Sequence, residues 1–333
     1  MNGAPPIIDS PAPPPVFKDR RAGLLAFGVF EILLGAICVL FGAVMFFGQF
    51  MLSRNTGAPL SFRMLAPVLA IYLALAVFLI WNGIGSMQCR RWARALTLIF
   101  AWCWLLTGLI SVPITGVVLP RALAATAQQG ATLPPGLMTG IIIFQILFMT
   151  VVMVAIPAAF VFFYRSPHVK ATCEVRDPVS RWTDACPLPL LAVAILLWFG
   201  AVFMLSVPIA HRGVMPFFGI LLEGGAGTLV ALGLAVAAVW VGRAWYKVRV
   251  LGWWVLLATW VLLGFSSFLT FQRIDIIEMY QKMGYPPAQI DIIRQQGILT
   301  SQLMTWSSTL GLIPMVGYLV WVKRFFRPVA LVQ

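Results

Sequence analysis

From Trp81 to Gly108 the chain reads WNGIGSMQCRRWARALTLIFAWCWLLTG, one apolar run turning through a basic knot into another. That pattern fits a helical hairpin in a bilayer. Lipid offers the backbone no hydrogen bonds, so an isolated apolar segment must close its own as a helix. A central Lys or Arg costs about 2.5–3.5 kcal/mol on insertion scales, so the arginines belong in the turn. The same idea recurs at Trp240 to Gly264, WVGRAWYKVRVLGWWVLLATWVLLG.

A spanning helix needs about 20 apolar residues to cross a hydrocarbon core of roughly 30 Å. Segments that meet this run over residues 23–51, 64–86, 95–118, 138–164, 188–209, 215–241, 251–271 and 303–322. They predict an all-α integral membrane protein with eight transmembrane helices. With 61% of 333 residues hydrophobic and 10% charged, no water-soluble fold could hide the apolar surface.

The net charge of +13 is a topology signal rather than a nucleic-acid signature, because no soluble module carries a basic face. Most of the 23 basic residues fall in five segments. These hold Lys18, Arg20 and Arg21; Arg90, Arg91 and Arg94; Arg165, Lys170, Arg176 and Arg181; Arg243, Lys247 and Arg249; and Lys323, Arg324 and Arg327. Alternating spans put all five on one side. The positive-inside rule makes that side the cytoplasm, with both termini inside an inner or plasma membrane. The cysteines, Cys38, Cys89, Cys103, Cys173 and Cys186, then lie in spans or inner segments, where no outer disulfide is expected.

Several echoes at near-constant offset predict two tandem four-helix repeats. Phe41 to Val44 (FGAV) returns as Phe199 to Val202, 158 residues on; Trp81 and Gly83 return as Trp240 and Gly242, 159 on; Ile156 and Pro157 return as Ile313 and Pro314, 157 on. Pro157 and Pro314 would kink the fourth helix of each half. The resulting plan is a disordered Pro-rich cytoplasmic tail (1–22), a first membrane half (23–164), a charged cytoplasmic linker (165–187), a second half (188–327) and a C-terminal tail (328–333).

Each half places its longest outer loop between its third and fourth spans. In the first, a short helical stretch ends at Gly130; in the second, residues 272–302, Gly284 stops one short helix and Pro287 opens another that ends at Gly297. Ile274, Ile277, Ile290 and Ile293 give that second loop an amphipathic face for the outer leaflet or the bundle end. Besides the lipid bilayer, the candidate protein contacts are this loop and the Pro-rich N-terminus.

Eight acids fall in tails or loops: Asp9, Asp19, Glu174, Asp177, Asp184, Asp275, Glu278 and Asp291. Glu31 and Glu223 fall inside predicted spans, near opposite leaflets, and are the candidate functional intramembrane acids. Gly28, Gly35 and Gly42 form a small-residue stripe that Glu31 shares, so it should face the bundle; Glu223 heads EGGAG. At the repeat offsets Glu31 matches Pro189 and Glu223 matches Met64, so both break the symmetry. Either acid could equally be polar glue between helices.

Asn82, Gln145, Thr150, Thr259, Ser266, Ser267, Ser307 and Ser308 could line a polar path, although single hydroxyls in spans usually bond their own helix. Trp92, Trp182, Trp245, Trp253 and Trp254 read as an inner aromatic belt. His168, Cys173 and Cys186 lack the paired close spacing of structural zinc sites, and no cofactor motif or catalytic triad is visible. Composition favours a non-enzymatic scaffold or accessory subunit of a membrane assembly. The alternative is a small-solute or ion-coupled carrier using the intramembrane acids; an intramembrane enzyme ranks below both.

Overall fold

The computed structural model describes residues 17–56, 62–127, 134–296 and 300–326. The stretches 1–16 and 327–333 and the expected helix stops Gly130 and Gly297 lie outside them. Among the described residues eight helical segments are long and apolar enough to cross a membrane: Arg21–Asn55, Leu65–Met87, Arg91–Pro120, Gly136–Arg165, Leu188–Ala210, Gly224–Tyr246, Val250–Arg273 and Ser301–Phe326. The architecture is that of a multi-pass helical membrane protein. Leu40, Ile110, Phe144, Phe162 and Val236 stand well exposed, a liability in water and ordinary in lipid.

The first four spans are α1 (Arg21–Thr56), α2 (Phe62–Met87), α3 (Arg91–Ala127) and a segmented helix of α4 (Pro135–Thr150), a π-helical turn (Val151–Ala155) and α5 (Ile156–Arg165). A segment of α6 (Pro167–Arg176) and a 3-10 turn (Trp182–Asp184) leads to α7 (Leu188–Met204) and α8 (Ser206–Ala210). A hairpin of β1 (Met215–Phe217) and β2 (Ile220–Leu222) precedes α9 (Gly224–Tyr246) and α10 (Val250–Arg273). Then come α11 (Ile276–Met283), α12 (Pro287–Gln296) and α13 (Ser301–Val322). Helix α1 packs on α2, α3 on α4 and α5, α7 on α9, and α10 on α13.

The two basic turns share one geometry. Cys89 and Val248, 159 residues apart, both take left-handed backbone, at φ 56° and 54°. In the first turn Cys89 N–H donates to Ser86 O and Arg90 N–H to Gly85 O; in the second, Val248 N–H donates to Trp245 O and Arg249 N–H to Ala244 O, all at 2.9 Å. Across each turn the helices meet at a glycine against an alanine: Gly85 against Ala93 in the first, Gly252 against Ala244 in the second. The same two positions carry the pair in opposite order.

The glycine stripe of α1 serves an internal contact. A Cβ on Gly28 would stand 2.7 Å from Gly83 O, and one on Gly83 would stand 2.6 Å from Gly28 O, so the backbones of α1 and α2 touch. Gly35 lies as close to Ile80 and Ala76. In the fourth span, Pro157 has no N–H for the carbonyl of Met153, four residues earlier, and the helix relaxes into the π turn there. Gly108 of α3 packs against that carbonyl, where any Cβ would collide with it. No such turn precedes Pro314, through which α13 runs on as one helix, so the two prolines do not act alike.

The expectation of a helix over 215–241 fails over its first third. Residues 215–222 form the hairpin, which turns at Phe218 and Gly219 (φ 42° and 90°) and is held by Phe218 N–H to Ser266 Oγ (2.8 Å) and Gly219 N–H to Thr270 Oγ1 (3.0 Å). Gly284 does stop α11 in a left-handed conformation, and Pro287 opens α12. Ile276 and Ile290 are buried beneath this cap, with Ile274, Ile277 and Ile293 half-buried. In the first outer loop α3 instead continues unbroken to Ala127, through Pro113 and Pro120.

All the basic clusters with described residues gather at one end of the bundle. Arg20 N–H donates to Thr172 Oγ1 (3.0 Å) and Arg176 pairs with Asp19 (2.9 Å), tying the start of α1 to α6. Arg91 reaches Asp184 (3.2 Å), Tyr246 OH donates to Trp182 O (2.9 Å), and Trp245 packs on Phe326. Trp245 and Trp253 are therefore core residues rather than belt residues, both nearly inaccessible; Trp182 and Trp254 stay exposed. We expect Gly108→Ala to lower the melting temperature of the detergent-purified protein, since overpacking against backbone costs about 1–3 kcal/mol. Gly116→Ala, facing only the tip of Ile146 at 3.9 Å, should be neutral. Equal melting of both variants would contradict the contact between α3 and the π turn.

Candidate functional site

Glu31 lies ten residues into α1, about 15 Å from its basic end at 1.5 Å per residue. It is 1% exposed. The contact of Gly28 with Gly83 draws α2 close enough for Asn82 and Ser86 to reach it. Thr97 of α3 donates to Glu31 Oε1 at 2.9 Å; Ser86 Oγ and Asn82 Nδ2 donate to Oε2 at 3.3 and 3.4 Å. Asn82 Nδ2 also reaches Thr97 Oγ1 at 2.5 Å, and Tyr164 OH of α5 donates to Ser86 Oγ at 3.0 Å. All five side chains are buried. Each of the first four spans contributes to one polar cluster.

Two features of this cluster bear on its role. Among the described residues no Lys, Arg or His stands in salt-bridge distance of Glu31, so the carboxyl is met only by neutral donors. In addition, Asn82 Oδ1 is buried without a hydrogen-bond partner. An orphan acceptor of this kind calls for a donor or an ion beside it. Together the oxygens of Glu31, Asn82, Ser86 and Thr97 make a set suited to a proton, a water or a small hard cation. From Glu31 the hydrogen bonds continue through Ser86 to Tyr164, which adjoins Arg165 at the basic end.

At the second basic turn the packing is largely apolar. Counting 159 residues on from Asn82, Ser86 and Thr97 gives Val241, Trp245 and Leu256, each at most 3% exposed and all in one hydrophobic core with Leu190, Leu319 and Phe326. The second turn is thus packed mainly by apolar groups, with Trp245 Nε1 buried and without a hydrogen-bond partner, whereas the first carries the polar cluster.

Glu223 requires a correction. It is not inside a spanning helix: it ends the β hairpin, directly precedes α9, is half-exposed, and pairs with Lys282 of α11 at 2.8 Å. Glu278 joins at 3.1 Å, and the two carboxylates raise the Lys282 ammonium above its usual range. Glu31 and Glu223 therefore share no site. Of the hydroxyls noted in the sequence, Thr150 and Ser308 bond their own helices at Ile146 O and Met304 O, and Ser266 holds the hairpin. Thr97 and Tyr164 were not singled out by the sequence; their one signal is that each sits within two turns of a basic cluster.

At the basic end, Asp177 caps α6 while 2% exposed. Arg181 (2.6 Å) and Arg90 (3.6 Å) pair with it, and Arg91 N–H donates to it at 3.3 Å. The Arg181 hydrogen bonds are the main cause holding its carboxyl below the usual range. Burial pushes the thiols of Cys173 and Cys186 up to about 12 and about 11, so both are neutral at cellular pH. Among the described residues no three His, Cys, Asp or Glu side chains converge as a metal site. Comparison with family models, curated proteins and solved structures finds no match.

Proposed function

We propose that the protein is an ion-coupled membrane carrier whose first half holds the coupling group, Glu31. The observation that carries this is a buried carboxyl met by neutral donors alone, beside an Asn82 oxygen that has no partner. Intramembrane carboxyls of this kind mark proton and cation pathways. The chain from Glu31 through Ser86 to Tyr164 supports exchange from the basic end. Two tandem four-helix halves complete the proposal, supported by turns that match in backbone geometry, hydrogen bonding and glycine–alanine contact.

The positive-inside rule makes the basic end cytoplasmic and the cap of α11 and α12 external, in a cell or inner membrane. A second reading, a scaffold or accessory subunit, draws on the apolar core of the second half and on that cap as a partner surface.

For orientation, a cysteine-free background carrying Lys247→Cys should resist a membrane-impermeant maleimide on intact cells, while one carrying Glu278→Cys should label; the reverse pattern would overturn the assignment. For coupling, proteoliposomes under an imposed pH or sodium gradient should take up small labelled solutes. Glu31→Gln should abolish that dependence on the gradient while still purifying as a folded protein. Full gradient-driven uptake by Glu31→Gln would remove Glu31 from the coupling role, and absence of gradient-driven uptake by the wild type would end the carrier proposal and leave the scaffold.

A further inference from the structure

At the basic end, α3, α6 and the segment leading into α7 form a half-open cavity of about 400 Å³, separate from the Glu31 cluster. Arg91, Arg94 and Ala95 of α3, Lys170 and Cys173 of α6, and Thr183 of the 3-10 turn are among its lining residues. The volume is in the range of small-ligand sites. Its wall is apolar on the side of Ala95 and Leu188 and charged on the other.

Its charges do not cancel. Arg91 is matched by Asp184 at 3.2 Å and Glu174 at 3.8 Å, and Lys170 by Glu174 at 3.7 Å. No carboxylate among the described residues stands within salt-bridge distance of Arg94, and its Nε is buried without a hydrogen-bond partner. A second polar atom on the same wall shares that condition: Thr183, 4% exposed, has a buried and unpartnered Oγ1. The α3 N-terminus at Arg91 and the α7 N-terminus at Leu188 border the cavity too, and helix N-termini favour anions.

From this geometry we infer a binding site for one singly charged phosphate group, with Arg94 as the cation and Thr183 as the hydroxyl that grip it. A guanidinium donates to phosphate oxygens in a fork, and basic pockets between spans at the cytoplasmic side hold anionic headgroups. The phosphate could come from an anionic lipid, whose chains would follow the apolar wall, or from a soluble phosphate. Either would fasten α3 of the first half to the segment leading into α7.

The test uses the full chain in nanodiscs of phosphatidylcholine, alone or with phosphatidylglycerol. Native mass spectrometry reads retained lipid, and thermal unfolding reads stabilisation as inorganic phosphate is titrated into the phosphatidylcholine discs. A lipid source predicts that a phosphatidylglycerol is retained; a soluble source predicts that inorganic phosphate raises the melting temperature. In either arm Arg94→Gln should weaken binding about tenfold or more and Thr183→Val several-fold, the expected scale for charge-assisted and neutral hydrogen bonds. Arg243→Gln, exposed on α9, should change nothing. If Arg94→Gln does not fold, Thr183→Val carries the test. Failure of both probes to bind the wild type, or binding by the folded variants as tight as the wild type, would overturn the site.

Discussion

The structure of the first four spans depends on the backbone contact of α1 with α2 at Gly28 and Gly83. Lipid chains are as apolar as leucine, so helices in a bilayer gain little from the hydrophobic effect and associate by close packing and hydrogen bonds. Two glycines facing each other supply the packing, with each missing Cβ replaced by the partner's carbonyl. The same approach brings the hydrogen bonds. Glu31 is one turn from Gly28, and Asn82 and Ser86 flank Gly83, so helices this close cannot avoid forming the polar cluster. Larger residues at either glycine would separate Glu31 from its donors.

The basic end supplies a second constraint. The segment between α5 and α7 is an ordered piece: Val169, Thr172, Cys173 and Asp177 are buried, and Asp177 ties the α2–α3 turn to the end of α6. Arg91 of α3 and Tyr246 of α9 both bond the 3-10 turn region at Trp182–Asp184. The first four spans and the last four are joined where charge is densest, which is also where the Arg94 cavity opens.

Much of this was legible in the sequence, and the failures have physical causes. Span number followed from run length, because the bilayer fixes how many apolar residues a helix needs. Glu31 was legible because three glycines at heptad spacing defined the face it shares. Thr97 and Tyr164 were not, since a lone hydroxyl in a span reads the same whether it bonds its own helix, as Thr150 does, or a neighbour. Glu223 was misplaced because MPFFGILL is as apolar as a helix. Its backbone partners, Ser266 and Thr270, lie about fifty residues away, and no local pattern reveals them.

The central claim is that Glu31 is a working group rather than fixed glue, and infrared difference spectroscopy of the reconstituted protein tests it most directly. A step in pH or in sodium concentration should produce a change in the carboxyl bands that vanishes in Glu31→Gln and is altered in Asn82→Leu. A wild-type spectrum in which no such band responds to either step, or one that survives unchanged in Glu31→Gln, would contradict it.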